Sequence, residues 1–421
     1  MKVLLLNQCF HPDVVSTAQY LADLAVGLAK QGHDVTVLAS RRGYDDPSVC
    51  FKRRETWRGI DIIRIPTLGF GKRSKWSRSL DFASYLVFCF FRLMFLPRQD
   101  LSVALTSPPL ISFFGALFAQ LRGGRFCFWV MDLNPDEAVA LGWLREDSFV
   151  TRILQAFLNY SLQRSDNIIA LDRFMWERIV DKGVSRDKVV VVPPWSHDED
   201  IRYDEAGRAV FRATHGMEGK FVVMYSGNHS PCHSLHTLVK AAWKLRKCQN
   251  IMFCFVGGGS EYQKIKAFAR ENSLQNVLCL PYQPRNQLSS SLSAADLHVV
   301  VMGDGFKGVV HPCKIYNIMN VGAPILYIGP EESHITDLFE EHASAIDGRS
   351  ARHGAVDEVA GHIQAAAAAG QIRAAGAKQV ASQFSSYTLL PHMISILEQL
   401  AQKPVLLRSQ ATVRIRARRE G

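Results

Sequence analysis

Short apolar runs alternate along the chain with longer segments that are apolar at helical spacing, beginning at the N-terminus. Residues 2–7 contain an unbroken apolar run, which is typical of a buried parallel strand. Residues 20–28 repeat leucine and other apolar side chains at the spacing of an amphipathic helix, which Gly32 is predicted to end. Residues 34–39 predict a second strand. The chain is therefore predicted to open with a βαβ unit.

The same alternation continues in two series, separated by a polar stretch near residues 201–219. Further strands of the first series are predicted at residues 60–65, 102–106, 125–130, 167–170 and 189–192. Strands of the second series are predicted at residues 221–225, 251–256, 277–280, 297–301 and 324–327. Strands that alternate with helix-length segments indicate parallel sheets with helices on both faces. The predicted fold class is α/β, with two Rossmann-like doubly wound domains.

The length of the chain supports two domains, because single cores rarely grow beyond about 250 residues and this chain has 421. We expect an N-terminal domain over residues 1–200 and a C-terminal domain over residues 217–385. A helix over residues 386–402 is expected to pack back toward the N-terminal domain. The arginine-rich tail, residues 403–421, is expected to be solvated, with contact to anionic lipids as the alternative.

Composition and charge narrow the class of protein. Hydrophobic residues make up 48% of the chain and charged residues 21%, which indicates a globular protein. The net charge of +10 favours anionic partners but does not distinguish nucleic acid, an acidic membrane and phosphorylated small molecules. The nine cysteines include no CxxC pair, and the first apolar run is too short for a signal peptide. A cytoplasmic protein with reduced cysteines is expected.

One segment of the first half has the character of a membrane-surface helix. Residues 82–96 are almost entirely apolar but are interrupted by Arg92, and a spanning helix needs about 20 residues. Basic and aromatic residues precede the segment: Lys72, Arg73, Lys75, Trp76 and Arg78. This pattern predicts attachment to an anionic membrane surface, with a buried helix as the alternative. No nucleic-acid-binding module accompanies the basic residues, so no nucleic-acid partner is expected.

Two glycine turns follow predicted strands of the second half. Gly227 and Asn228 end one strand, and His233 stands just before the next predicted helix. Glycine lets backbone N–H groups and a helix N-terminus face an anion there, and a diphosphate would suit that place. Gly258 ends the following strand, where a missing side chain permits close approach by a ligand. Either turn could merely terminate its strand, and no GxGxxG fingerprint for dinucleotides is present.

A third loop comprises Pro281, Tyr282 and Gln283, directly after another predicted strand. A proline-stiffened, extended turn offers main-chain donors and acceptors at fixed positions, which suits recognition of the flat edge of a base. The alternative is a plain loop between a strand and a helix.

The most informative segment is residues 308–324. Pro312 suits the first turn of a helix, which places Lys314 near the helix N-terminus, where a cation opposes the helix dipole. An anionic ligand would relieve that conflict, and Asn317 lies on the same helix face. We therefore predict a phosphate-binding lysine, with His233 as a weaker second cation. The alternative is an ordinary exposed lysine.

In their order along the chain, these motifs resemble family 4 glycosyltransferases, especially the bacterial branch that builds surface polysaccharides and transfers N-acetylated amino sugars. The resemblance spans nearly the whole chain. It depends on residues 7–12, 32–38, 132–136, 191–195, 226–228, 281–284 and 312–316. The family implies a GT-B fold, in which two Rossmann-like domains face an interdomain cleft.

The resemblance also implies roles for individual residues. Gly227 and Asn228 would approach the donor diphosphate, and Lys314 would pair with it. The loop from Pro281 would meet the base, and Asp132 would face the reacting sugar and the acceptor. The remaining donor-side residues are Tyr282, Gln283, His233, Gly258 and Asn317, and the residues expected beneath the donor in the cleft are Phe10, His11 and Ser16.

The sequence departs from the commoner family pattern at two places. Val309 and Asn317 stand where the family has two glutamates eight positions apart, one touching the sugar and one the ribose. Asn228 and His233 stand where the family has an arginine and a lysine in its phosphate loop. An asparagine can still hydrogen-bond a ribose hydroxyl, although it supplies no charge.

The resemblance implies a retaining, hexosyltransferase-type enzyme of exopolysaccharide biosynthesis. Its donor would be a nucleotide-diphosphate sugar, UDP-linked in preference to GDP-linked, and its acceptor a polyprenyl-diphosphate-linked sugar or nascent polysaccharide. No obligatory cofactor or metal is expected, because the one DxD motif, from Asp198 to Asp200, lies in a polar interdomain stretch. The expected location is cytoplasmic, peripheral on the inner face of the plasma membrane. The alternatives are a sugar-nucleotide epimerase of the same fold and a catalytically weak nucleotide-sugar-binding subunit.

Overall fold

A computed structural model of the chain describes residues 1–44, 46–70, 75–196, 201–370, 373–374 and 376–403. Of residues 75, 76 and 78 it describes the backbone only. Several expectations fall outside the described residues: the roles of the Lys72 to Arg78 side chains, the Asp198 to Asp200 motif, and the tail from residue 404 onward.

Fourteen strands form two sheets within the described residues. The strands are β1 (Lys2–Leu6), β2 (Asp34–Ser40), β3 (Arg54–Trp57), β4 (Ile60–Ile65), β5 (Leu101–Ala104), β6 (Arg125–Trp129), β7 (Asn167–Ala170), β8 (Val189–Val191), β9 (Phe221–Asn228), β10 (Ile251–Gly258), β11 (Val277–Leu280), β12 (Leu297–Val301), β13 (Ile325–Ile328) and β14 (Gly348–Ala351). One sheet has the order β3-β4-β2-β1-β5-β6-β7-β8 and the other β11-β10-β9-β12-β13-β14.

Fifteen α-helices connect these strands in the described part of the chain. They are α1 (Ser16–Lys30), α2 (Lys75–Met94), α3 (Ile111–Arg122), α4 (Asp136–Ala140), α5 (Phe149–Arg164), α6 (Arg173–Asp181), α7 (Glu205–Thr214), α8 (His236–Lys244), α9 (Ser260–Glu271), α10 (Leu288–Ser293), α11 (Lys314–Val321), α12 (His334–Glu341), α13 (Val356–Ala369), α14 (Ala377–Gln383) and α15 (Ser386–Gln402). None of these helices combines the length and the apolarity needed to cross a membrane.

The predicted α/β class with two parallel sheets is confirmed. β1 is buried along its apolar run and pairs in parallel with β2 and β5, and every pairing given for the second sheet is parallel. Two edge strands were not predicted: β3, which is antiparallel to β4, and β14. Both are short and polar, so they lack the apolar run that marks the central strands.

Contacts within the chain define two compact units. Among the described residues, the first unit comprises those within 1–129, 160–168 and 393–403, and the second comprises those within 130–159 and 169–392. α6 belongs to the second unit because its N-terminal residues hydrogen-bond side chains near α11 and α12. These cuts differ from the expected domain limits of 200 and 217, which stay predictions. Within the first unit, Glu398 of α15 accepts a hydrogen bond from His33 at 2.8 Å.

Candidate active site

The end of β9 is built so that other chain segments can approach it closely. β9 and β10 run side by side to their last residues, with Gly227 paired to Gly257 and Asn228 to Gly258. Gly227 has φ +126°, and a Cβ added there would lie 3.2 Å from Lys314 Nζ. At Gly257, with φ +135°, a Cβ would lie 2.0 Å from the carbonyl oxygen of Gly227. Only glycine leaves space for the lysine and the neighbouring strand.

Lys314 is the first residue of α11, two positions later than the helix start predicted from Pro312. Its Nζ is buried, lies 3.5 Å from the centroid of the Tyr225 ring, and has no hydrogen-bond partner within the described residues. Burial lowers the pKa of Lys314 to about 7. The alternative of an ordinary exposed lysine is therefore wrong, because the ammonium nitrogen is buried.

Further buried polar atoms of the second unit have no partner among the residues that the structure describes. Three of them belong to residues predicted or found close to Lys314, and these are Asn317 Oδ1, His229 Nε2 and His233 Nδ1. Burial and then the charge of Lys314 lower the pKa of His229 to about 4 and that of His233 to about 3. His233 can therefore hydrogen-bond a ligand but brings no positive charge near neutral pH. Buried polar groups are normally paired, so several unpaired ones around one lysine indicate a place for a polar ligand.

The loop predicted to meet a base lies against the end of β10. β11 pairs with β10 up to Leu280, and the loop from Pro281 follows directly. The Tyr282 hydroxyl donates a hydrogen bond to the Gly258 carbonyl (3.3 Å), and a Cβ on Gly258 would lie 3.0 Å from the tyrosine ring. Tyr282 is 59% exposed, and Gln283 is tied to the Pro281 carbonyl at 2.9 Å. Three neighbouring strands thus bring the predicted diphosphate and base loops to one edge of the sheet.

Asp132 lies in the same compact unit, in the loop after β6. The next residue, Leu133, donates its backbone N–H to the Val309 carbonyl at 3.0 Å, so the loop is fastened to the segment before α11. Burial, and then the negative charge of Glu137, raise the pKa of Asp132 to about 8. Burial thus favours the neutral Asp132 carboxyl, which can donate a hydrogen bond.

Glu137 and Cys232 escaped the sequence-based prediction. Glu137 Oε1 accepts from Cys232 Sγ at 3.5 Å, and Oε2 accepts from Asn134 Nδ2 at 3.0 Å. Asp136, the other acid of the loop, is instead paired with Lys182 at 2.9 Å. Glu137 therefore joins the Asp132 loop to the turn after β9, and it sets the charge next to Asp132.

The three residues expected beneath the donor, Phe10, His11 and Ser16, follow β1 in the first unit. Phe10 is fully buried, and Ser16 is the first residue of α1. The His11 ring stacks on the Trp57 ring with centroids 4.0 Å apart. The backbone carbonyl of His11 accepts a hydrogen bond from the Arg64 guanidinium at 2.5 Å. Burial and the charge of Arg64 lower the pKa of His11. This loop is therefore held in place, and its part in donor binding stays a prediction.

Comparison with known proteins decides the family. Residues 17–195 match the family model described as a glycosyl transferase 4-like domain, and residues 208–330 match that of glycosyl transferases group 1. The chain is a family 4 glycosyltransferase of the GT-B type. The first match covers strands β2 to β8, and the second covers strands β9 to β13.

Individual relatives agree with this assignment. The glycosyltransferase is 28% identical over 358 residues to WcaI, a putative colanic acid biosynthesis glycosyl transferase of Escherichia coli K12, over 81% of this chain and 86% of the relative. Its fold matches sucrose-phosphate synthase from Thermosynechococcus elongatus with a TM-score of 0.73 at 15% identity, over 95% of this chain and 99% of that one. It also matches Anabaena HepE in complex with UDP-glucose, with a TM-score of 0.70 at 15% identity, over 95% and 100% of the two chains.

Within the second unit of this glycosyltransferase, the structure places Gly227 beside Lys314 and Gly258 beside Tyr282. Asn317 and His233 add unpaired polar atoms there. The Val309 side chain is buried, and its backbone carbonyl accepts a hydrogen bond from the Leu133 N–H. The donor-binding roles of these residues stay predictions.

Proposed function

We propose that this glycosyltransferase takes a sugar from a UDP-sugar, with a GDP-sugar as the alternative donor, and transfers it with retention of anomeric configuration and without an obligatory metal. One observation carries the proposal: the Lys314 ammonium nitrogen is buried beside Gly227 and has no anionic partner in the described structure. An unpaired buried cation is unfavourable in itself, so it is expected where a ligand supplies the negative charge.

The leaving diphosphate gains negative charge as the bond from the sugar to phosphate breaks. Lys314 sits at the start of α11, where the backbone N–H groups are not capped by a side chain of the described residues, and the helix dipole adds to its charge. One preorganised donor of this kind stabilises such a transition state by about 3 kcal/mol. These groups would do the work that a metal ion does in other transferases.

Retention is supported by the state of Asp132. Burial favours the neutral Asp132 carboxyl, which can donate a hydrogen bond to the acceptor hydroxyl oxygen instead of taking its proton. The proton would instead pass to the departing phosphate oxygen, on the face from which the diphosphate leaves. The acceptor then attacks from that same face, and Asp132 would orient its hydroxyl by a hydrogen bond.

The proposed UDP moiety follows the loops at the sheet edge. The Tyr282 ring is exposed and lies against Gly258, which offers a flat surface beside the Pro281 to Gln283 loop. Asn317 Oδ1 would accept a hydrogen bond from a ribose hydroxyl. Anabaena HepE, which shares the fold, was solved with UDP-glucose, which supports a uridine donor.

The proposed acceptor is a polyprenyl-diphosphate-linked sugar or a growing polysaccharide in exopolysaccharide biosynthesis. WcaI, whose name refers to colanic acid biosynthesis, supports a surface-polysaccharide role, and the motif resemblance favours an N-acetylated amino sugar as the transferred group. An acceptor with a polyprenyl tail requires the enzyme to work at a membrane, on the inner face of the plasma membrane.

α2 supports this location. One face of the helix is packed into the first unit through Tyr85, Cys89 and Leu93. The other face exposes a row of large apolar side chains at helical spacing, and these are Leu80, Val87, Phe88, Phe91 and Met94. An outward helix face is normally polar, so this apolar face suits the boundary between headgroups and acyl chains. The alternative of a buried helix fits only the side of α2 that packs into the first unit.

Membrane attachment is tested by charging this apolar face. Replacing Val87 and Phe91 with glutamate is expected to reduce sedimentation with phosphatidylglycerol vesicles by at least tenfold, because each lost apolar side chain contributes about 1.5–3 kcal/mol when buried. Val210→Glu is the matched control, since Val210 is also exposed, on α7 of the second unit. Equal vesicle binding by the double variant and the control would show that α2 does not attach the protein.

The donor and the reaction are tested with the purified full chain. Thermal shifts with UDP, GDP, ADP and the corresponding sugars are expected to be largest for uridine nucleotides. With UDP-sugar and no acceptor, a transferase slowly releases free sugar and UDP in equal amounts. Release of the epimeric sugar would instead establish the epimerase alternative, and nucleotide binding without release would establish the inert subunit.

A further inference from the structure

Three buried side chains of the second unit form a hydrogen-bonded network beside the lysine helix, and a fourth, His334, packs against it. Asp172 Oδ2 lies 2.8 Å from His311 Nδ1, and His311 Nε2 lies 2.8 Å from the Tyr316 hydroxyl. The His334 ring stacks on His311 with centroids 3.7 Å apart. Asp172 also caps α6 by accepting the Met175 N–H at 2.8 Å. The network therefore links the start of α6 to both sides of Lys314 in sequence.

Asp172, His311 and His334 are residue types that bind metal ions, and their ligand atoms lie within 4.8 Å of one another. An ion bound by two histidines must lie in the plane of both rings, along the nitrogen lone pairs, at about 2.0–2.1 Å for zinc. The two rings here are stacked and tilted by only 20°, so their planes do not converge on a nearby point. The geometry fits a hydrogen-bonded network rather than a metal centre.

Hydrogen-bond directions in this network follow from the chemistry of its ends. Burial would raise the pKa of Asp172, but the hydrogen bond from His311 and the other interactions of the carboxylate outweigh burial and hold the pKa at about 2. An ionised carboxylate only accepts, so His311 Nδ1 carries a hydrogen toward Asp172. Tyr316 keeps its proton, because burial raises its pKa, and it can donate to Nε2. One tautomer of His311 thus satisfies both neighbours.

The segment that enters α11 is held before His311 by backbone hydrogen bonds, including that from Leu133 to Val309. Pro312 has no N–H to donate, and the side chain of the N-cap residue Cys313 makes no capping hydrogen bond to the helix N–H groups. His311 stands three residues before Lys314, and Tyr316 stands two residues after it with its ring stacked on Phe384. Holding both residues fixes the first turn of the helix, and with it the direction of the lysine side chain.

We propose that His311, fixed in one tautomer by Asp172 and bonded to Tyr316, is a positioning residue that holds Lys314 over Tyr225 for the donor diphosphate. This inference rests on the proposed function, because it assigns the network a purpose through Lys314. Loosening the network would let Lys314 swing away from Gly227 and let water reach its ammonium group.

The test compares His311→Gln and Tyr316→Phe with the wild-type full chain. His298→Gln is the matched control, since His298 is fully buried in β12 of the same unit and bonds the Leu292 carbonyl at 2.9 Å. In calorimetric titrations, both network variants are expected to bind UDP about tenfold more weakly. Their affinity is also expected to decline at a higher pH than in the wild type, because a hydrated lysine keeps its proton longer.

His298→Gln is expected to lower the melting temperature and leave the UDP affinity and its pH profile unchanged. If His311→Gln behaves like this control, the network is only structural and the inference is wrong. Tyr316→Phe keeps the ring stack on Phe384. If His311→Gln folds poorly, the UDP affinity and pH profile of Tyr316→Phe test the inference in its place. A wild-type chain that binds neither UDP nor GDP would instead contradict the proposed function.

Discussion

Replacing Lys314 with alanine is expected to reduce sugar transfer by about 10²- to 10³-fold, which is the effect of removing one preorganised donor at a developing anion. The effect is concentrated on this residue because the turn after β9 supplies no other charge. Asn228 stands where the family usually has an arginine, and His233 is neutral near pH 7. The measurement is the initial rate of UDP release at saturating donor, with acceptor and without it.

The fold of this variant is expected to be intact. Lys314 Nζ is buried without a partner in the described part of the chain, so removing it relieves a desolvated charge, and the melting temperature should stay level or rise. Lys240→Ala is the control, because Lys240 is exposed on α8 of the same unit. Wild-type turnover in the Lys314 variant would remove the proposed mechanism.

The affinity for UDP is expected to decline by about tenfold for each pH unit above 7. In the free protein, burial holds the pKa of Lys314 at about 7, so the lysine loses its proton as the pH rises through that value. A bound diphosphate favours the charged form and raises this pKa, so binding must take up a proton. Below pH 7 the lysine is already charged, and the affinity should change little on its account.

Isothermal titration at pH 7, 8 and 9, in buffers of different ionisation enthalpy, measures both the affinity and the proton uptake. The titratable groups that interact with Lys314 are Tyr225, His229, His233, His298 and Cys313. The three histidines stay neutral over this range, and burial raises the pKa of Tyr225 beyond it. Lys314→Ala should bind weakly with no pH dependence. A flat wild-type profile between pH 7 and 9 would contradict the assignment.

Much of the fold was predictable because it depends on local pattern. A central parallel strand is buried on both faces, so β1, β9 and β12 appear as apolar runs that need no knowledge of their neighbours. The glycines at the ends of β9 and β10 were also visible, because the backbone there adopts a positive φ or approaches another segment closely. Edge strands β3 and β14 lack such a signal.

The candidate site was only partly predictable. Lys314 stood out because a cation at a helix start is unusual, and Gly227 because it ends a strand before a helix. The sequence could not show that Lys314 lies beside Gly227, nor that Glu137 hydrogen-bonds Cys232. The first pair is 87 positions apart in the chain and the second is 95 positions apart. Their contact depends on the order of the strands in the sheet and on the path of the loops, and neither produces a periodic pattern in the sequence.

The sequence by itself determined the two parallel sheets, the glycine-lined strand ends and the choice of Lys314 as the phosphate-binding candidate, since each follows from residue type and spacing. Only the tertiary structure decided that the lysine nitrogen is buried and unpaired within the described residues, that Asp172 and Tyr316 hold His311, and that α2 exposes an apolar face. The physical reason is that pKa, hydrogen bonding and exposure depend on neighbours brought together from distant parts of the chain.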